Sequence, residues 1–97
     1  DLSIPKNYAL NQNYPNPFNP VTTITFELPQ NSSVNIGIYD VNGQLVRTLV
    51  NDRREAGYYS LVWKGKDDNG KEVASGVYFY RIQTENYNNT KRMILLR

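Results

Sequence analysis

In "TTITFEL", Thr22 to Leu28, the side chains of Ile24, Phe26 and Leu28 fall on one side of an extended chain and those of Thr23, Thr25 and Glu27 on the other. That period of two is what a half-buried β-strand requires. It returns in "VNIGIYD", where Val34, Ile36 and Ile38 alternate with Asn35, Gly37 and Tyr39. The intervening "PQNSS" supplies a turn and predicts that these two strands pair with each other. "DVNG", Asp40 to Gly43, holds an Asn-Gly dipeptide that tolerates the positive φ of a tight hairpin, and a third strand, "QLVRTLV", follows. "NDRREAG", Asn51 to Gly57, reads as a charged loop. "YYSLVWK", Tyr58 to Lys64, reads as a central strand with Tyr59, Leu61 and Trp63 facing inward. A second Asn-Gly turn at Asn69-Gly70 precedes a short edge piece around Val73 and a bulge or bend at Gly76. "VYFYRIQT" and "TKRMILLR" then form two strands joined across "ENYNN", with Tyr78, Tyr80 and Ile82 inward. No stretch carries a 3.6-residue period, and the strands recur at about 8–12 residues, so the expected fold is an all-β antiparallel sandwich.

The octapeptide "NYPNPFNP", Asn13 to Pro20, interrupts this pattern. Pro15, Pro17 and Pro20 each remove a backbone donor and hold the preceding residue extended, so residues 1–21 read as an extended lead-in that must gain its order by docking. Phe18 between the prolines is placed to plug an open end of the sandwich, and the asparagines to close local turns. Contact with a receptor is the other reading of this segment, and the two are compatible.

With 97 residues, 39% of them hydrophobic, the chain supports one domain and one core. Cysteine and histidine are both absent. Their absence removes disulfides, thiolate nucleophiles, the Ser-His-Asp arrangement and the usual zinc ligands, so the chain is not expected to be an enzyme or to hold a cofactor. Eleven basic and nine acidic residues, scattered along the chain, leave a formal charge of +2, with neither a nucleic-acid stripe nor an acidic tail. No apolar run approaches the roughly 20 residues that span a bilayer, and membrane insertion is not expected. The opening "DLSIPKNYAL" lacks an initiator methionine and a basic n-region, and the chain reads as a piece of a longer protein.

Four further patterns have plain readings. "DDNG", Asp67 to Gly70, could begin a calcium loop, but the full EF-hand spacing is missing and turn chemistry accounts for those residues. Asn31-Ser32-Ser33 and Asn88-Asn89-Thr90 match the glycosylation tripeptide and are read as loops. Arg53-Arg54 and Lys91-Arg92 are read as solvated positions flanking strands, where charge discourages edge pairing. The eight tyrosines could stack on sugar rings, although the alternation of Tyr58/Tyr59 and Tyr78/Phe79/Tyr80 divides them between core and surface.

"NYPNPFNPVTTITFELP", "IYDVNGQLVRTLV", "GYYSLVWKGKDDNGKEVASGVYFYRI" and the closing "TKRMILLR" stand in this order between Leu10 and Arg97. Together they resemble the type A C-terminal sorting domain of type IX secretion substrates, and the same block is similar to the immunoglobulin-like domain of flagellar hook-capping proteins. The resemblance implies a seven-stranded immunoglobulin-like, fibronectin III-like sandwich at the end of a larger secreted or cell-surface protein, often a hydrolase, of a Bacteroidota-like bacterium. Such a passenger reaches the periplasm by an ordinary signal. Its terminal domain is then recognised by the outer-membrane translocon, and in many members a sortase-like peptidase removes it and joins the passenger to surface lipopolysaccharide.

Carried over by position, the proline motif falls on Tyr14, Pro15, Asn16, Pro17, Phe18, Asn19 and Pro20, the glycine-aromatic motif on Gly76 and Tyr78, and the basic terminal motif on Lys91 and Arg97. "ENYNN" departs from the family's frequent glycine-containing hairpin. The expected organisation is a linker over residues 1–13 and a monomeric sorting domain over 14–97, with the translocon, the peptidase and the fused passenger as partners. Residues Met93 to Arg97 with Gly76 and Tyr78 are expected to form the recognised surface, and the octapeptide to lock the sandwich. The alternative is a carbohydrate-binding or spacer module attached to a secreted glycoside hydrolase.

Overall fold

The computed structural model describes residues 4–97; Asp1, Leu2 and Ser3 of the expected linker lie outside the described residues. Seven strands form: β1 (Ala9–Leu10), β2 (Thr22–Leu28), β3 (Ser32–Tyr39), β4 (Leu45–Arg54), β5 (Gly57–Trp63), β6 (Gly76–Gln83) and β7 (Asn88–Leu95). They build two antiparallel sheets, one in the order β1-β2-β5 and the other β4-β3-β6-β7. The all-β immunoglobulin-like sandwich expected from the alternation is therefore what the chain adopts. Most of its core is made of alternating side chains that the period of two picks out: Ile24, Phe26 and Leu28 from one sheet meet Val34, Ile36, Ile38, Tyr80, Ile82, Met93 and Leu95 from the other.

Several pairings differ from the local reading. β2 does not pair with β3; "PQNSS" carries the chain from one sheet to the other, and β2 lies between β1 and β5. That segment has no glycine or Asn-Gly for a two-residue hairpin. Asn31 instead accepts the Ala56 N–H at 2.9 Å, and the buried Ser32 hydroxyl donates to the Gln30 carbonyl at 2.9 Å, which fixes the crossover. β5 is an edge strand, not a central one, because only β2 pairs with it. Asn51–Arg54 are not loop but the second half of β4, paired with Ser32–Asn35, and the turn shrinks to Glu55 and Ala56.

The piece around Val73 makes only an isolated bridge, Lys66 to Glu72; the seventh strand is Ala9–Leu10, which composition hid among asparagines and prolines. The irregularities in pairing fall between β3 and β4 at Ile36/Gly37 and Ile38/Tyr39, whereas Gly76 opens β6 in regular register opposite Leu95. Asn88, Asn89 and Thr90 lie in β7 and Ser32 and Ser33 in β3, so neither tripeptide is a loop. The cations Arg53, Arg54, Lys91 and Arg92 lie within the edge strands β4 and β7 rather than beside them.

Both Asn-Gly turns form as expected and share one design. Asp40 accepts the N–H groups of Asn42 and Gln44, Asp67 accepts those of Asn69 and Lys71, and Gly43 and Gly70 take φ of 80° and 79°. In each turn the aspartate satisfies backbone donors that no strand partner reaches.

Candidate functional site

The lead-in docks along the outer edge of β7. Phe18 N–H donates to the Ile94 carbonyl at 3.0 Å and Leu96 N–H to the Phe18 carbonyl at 2.9 Å, a parallel bridge. Asn16 Oδ1 accepts the Ile94 N–H at 3.0 Å, and Gln12 Nε2 donates to the Arg92 carbonyl at 2.8 Å. With these bonds the lead-in covers the edge of β7 from Arg92 to Leu96. The Phe18 ring enters the core beside Trp63, with centroids 5.7 Å apart, and Tyr78 meets Trp63 edge-on at 5.5 Å. The plug expected of Phe18 is thus in place. All three X-Pro bonds of the octapeptide are cis.

Upstream of the prolines, order comes from buried polar groups. The Tyr80 hydroxyl, wholly buried, donates to the Asn11 carbonyl at 2.7 Å and accepts the Asn13 N–H at 2.8 Å. Asn13, also buried, donates through Nδ2 to Thr22 Oγ1 at 3.0 Å and to the Pro15 carbonyl at 3.2 Å, and Thr22 Oγ1 donates to the same carbonyl at 2.9 Å. Tyr14 and Thr23 exchange two backbone hydrogen bonds of 2.9 Å. Tyr8 stacks on Tyr87 at 5.1 Å, and Leu10 is part of the core. Residues Tyr8 to Asn13, within the expected linker, are therefore packed into the sandwich.

Burial pushes the Tyr80 hydroxyl up to about 12, against a smaller opposing effect from the Asn13 N–H. The folded state holds this proton more tightly than the unfolded chain, whose phenol titrates near pH 10. The stability that Tyr80 contributes is complete below pH 10 and falls as pH rises through 10 to 12, by roughly 2–3 kcal/mol. Urea titrations at pH 8 and pH 11 on the wild type and on Tyr80→Phe test this. The variant is expected to start about 1–3 kcal/mol less stable, because Asn13 N–H loses its acceptor, and then to decline less between the two pH values.

Arg97 closes the same end. Its guanidinium donates to the carbonyls of Val73 and Gly65, its N–H donates to the Ser75 hydroxyl at 2.8 Å, and Glu72 lies 3.7 Å from Nη1. Gly65 has a φ of 70°, and a Cβ there would stand 2.8 Å from Arg97 Nη2, so the clamp needs glycine on two counts.

The structure brings together Phe18, Gly76, Tyr78 and Arg97 at one end of the sandwich: Gly76 lies opposite Leu95, the partner of Phe18, and the Tyr78 hydroxyl donates to the Ala74 carbonyl at 2.7 Å. Lys91 stands apart, opposite Tyr80 on β7, six residues or roughly 20 Å of strand from Arg97. Met93, Leu95 and Tyr78, expected on a recognised surface, are buried, and the backbone edge of Ile94 and Leu96 is occupied by the octapeptide. Of the octapeptide, Tyr14 is 80% exposed, and Pro15, Asn16, Pro17 and Asn19 are exposed with it. Gly65, the Tyr80 hydroxyl and the burial of Asn13 went unnoticed in the sequence, since no local pattern marks a buried amide or a hydroxyl tether.

The exposed tyrosines do not form a strip. Tyr14 and Tyr58 neighbour Thr23 and Glu27, at opposite ends and on opposite edges of β2, about 16 Å apart from strand geometry.

The FlgD Ig-like domain family matches residues 12–88, most of the chain. This chain belongs to that family. The FlgD Ig-like match stops where β7 starts, so the strand carrying Lys91 and the Arg97 clamp lie beyond it. Among solved structures, dimeric latent PorU from Porphyromonas gingivalis is similar with a TM-score of 0.70 at 21% identity, over 92% of this chain and 9% of that one. PorZ, an essential surface component of the type IX secretion system of the same bacterium, gives 0.60 at 22% identity, over 95% and 12%. FlgD from P. aeruginosa gives 0.58 at 29% identity, over 76% and 58%. The chain thus spans only a small part of PorU and PorZ, and the likeness to them is one of fold. No curated protein matches the chain.

Proposed function

We propose that this FlgD Ig-like domain is a non-catalytic sorting module that directs a fused passenger across the outer membrane by type IX secretion to the cell surface. The observation that carries the reading is the fold likeness over 92% and 95% of the chain to parts of PorU and PorZ, the latter a component of that system. The motifs that resemble sorting domains support it, because the proline motif, Gly76, Tyr78 and Arg97 meet at one rigid end. In this reading the linker to the passenger ends ahead of Tyr8, and the translocon and its sortase-like peptidase read the rim of that end, Tyr14, Pro15, Asn16, Pro17, Asn19 and Pro20 with Arg97, and separately Lys91 farther along β7. Buried Phe18 and Tyr78, with Gly76 opposite Leu95, hold the rim in shape.

The test is a fluorescent protein carrying an N-terminal export signal and this chain at its C-terminus, expressed in a type IX-competent host. Surface or medium fluorescence is expected. A fusion that stays in the periplasm, while the chain remains folded, overturns the reading.

A further inference from the structure

The outer edge of β5 is the one long edge in the sandwich, among the described residues, that is neither covered nor charged. β1 is two residues long. β7 is covered from Arg92 to Leu96 by the lead-in, and Asp68 N–H binds the Val46 carbonyl while Asp68 Oδ1 accepts the Thr48 N–H along β4. The uncovered part of β4 carries Asp52, Arg53 and Arg54. β5, "GYYSLVW", has no charge and no proline, the two commonest devices that keep edges from pairing.

Backbone direction along this edge follows from β2. Asn11 N–H binds the Thr25 carbonyl, and Tyr14 and Thr23 exchange hydrogen bonds, so Thr23 and Thr25 point their backbone groups away from β5. Thr22, Ile24, Phe26 and Leu28 therefore bond Trp63, Leu61, Tyr59 and Gly57. This leaves the N–H and C=O groups of Tyr58, Ser60 and Val62 aimed outward. The same three residues carry their side chains on the outer face, with Tyr58 60% and Val62 53% exposed.

We propose that β5 is a self-pairing edge, and that its occupant is β5 of a second copy of this chain. A two-fold axis through Ser60 sets Ser60 against its counterpart and Tyr58 against Val62 of the other copy. Every outward N–H then meets an outward C=O, as alternate residues of an antiparallel ladder require. Each exposed tyrosine lands on an exposed β-branched side chain, a favourable cross-strand pair. No like charges meet, since β5 has none. Gly57 and Trp63 fall opposite each other at the two ends, and the two three-stranded sheets become one of six strands. An arbitrary extended peptide would meet the hydrogen bonds but not the Tyr58–Val62 match, which is why the second copy is favoured. The contact is smaller than the roughly 1,600 Å² of a standard interface, so association is expected to be weak and reversible.

Sedimentation velocity of the 97-residue chain from roughly 10 µM to 1 mM should show a mass rising from 11.2 kDa toward twice that value. Over the same range, hydrogen exchange at the amides of Tyr58, Ser60 and Val62 should slow with concentration, while that at Tyr59 and Leu61 stays unchanged. Ser60→Pro removes only an outward donor, and Val62→Lys changes an exposed side chain. Both should remain monomeric with a cooperative melt. A wild type that stays monomeric at 1 mM, or a dimer that persists in folded Val62→Lys with the Ser60 amide unprotected, overturns the proposal.

Discussion

Phe18→Ala is expected to lower the stability of the domain by about 3–5 kcal/mol, the usual effect of truncating a buried phenylalanine. For a domain of this size that corresponds to a melting temperature lower by roughly 15–30 °C. The ring is buried against Trp63, which in turn supports Tyr78, so the cavity opens where both sheets and the lead-in converge. The bridge of Phe18 to Ile94 and Leu96 is made by the backbone and does not depend on the ring, so the expected loss is that of the buried ring and the cavity it leaves. Thermal unfolding followed by Trp63 fluorescence measures the change. A melting curve that does not move would take the octapeptide out of the scaffold and leave contact with a receptor as its role.

Removing Met93 to Arg97 is expected to abolish the folded state altogether. Met93 and Leu95 are fully buried, and the loss of each costs about 2–5 kcal/mol, against the 5–15 kcal/mol that holds a typical domain together. The same deletion strips Ile94 and Leu96 from the lead-in and takes away the Arg97 clamp on Val73 and Gly65. Circular dichroism of the truncated chain should show no cooperative transition, and a retained one would overturn this account of the core. Failed export after such a deletion would therefore report unfolding and not recognition. Arg97→Ala separates the two, because Arg97 lies at the rim. Export lost with a melting curve only a few degrees lower would mark Arg97 as read by a partner, and undiminished export would remove it from the recognised set.

The inward faces of β2, β3, β5 and β6 were legible because a period of two is a local property: Ile24, Phe26, Leu28, Val34, Ile36, Ile38, Tyr80 and Ile82 all sit where alternation puts them. The Asn-Gly turns were legible for the same reason, since positive φ at Gly43 and Gly70 is a demand on single residues. The charges of Asn51–Arg54 misled, because an edge strand can carry charge on its solvent side and still pair on the other. Sequence also singled out the octapeptide as the segment with a special role, and Phe18 as its anchor, from the stiffness of prolines around one aromatic.

The sequence alone thus determined the fold class, most of the core and the tight turns, all of which depend on neighbours along the chain. Which strand lies beside which was decided only in three dimensions. β2 and β3 part across "PQNSS", β5 becomes an edge, and the lead-in closes β7, because those choices turn on contacts such as Tyr80 with Asn13 and Arg97 with Gly65. These link residues 67 and 32 positions apart, and no local pattern encodes them.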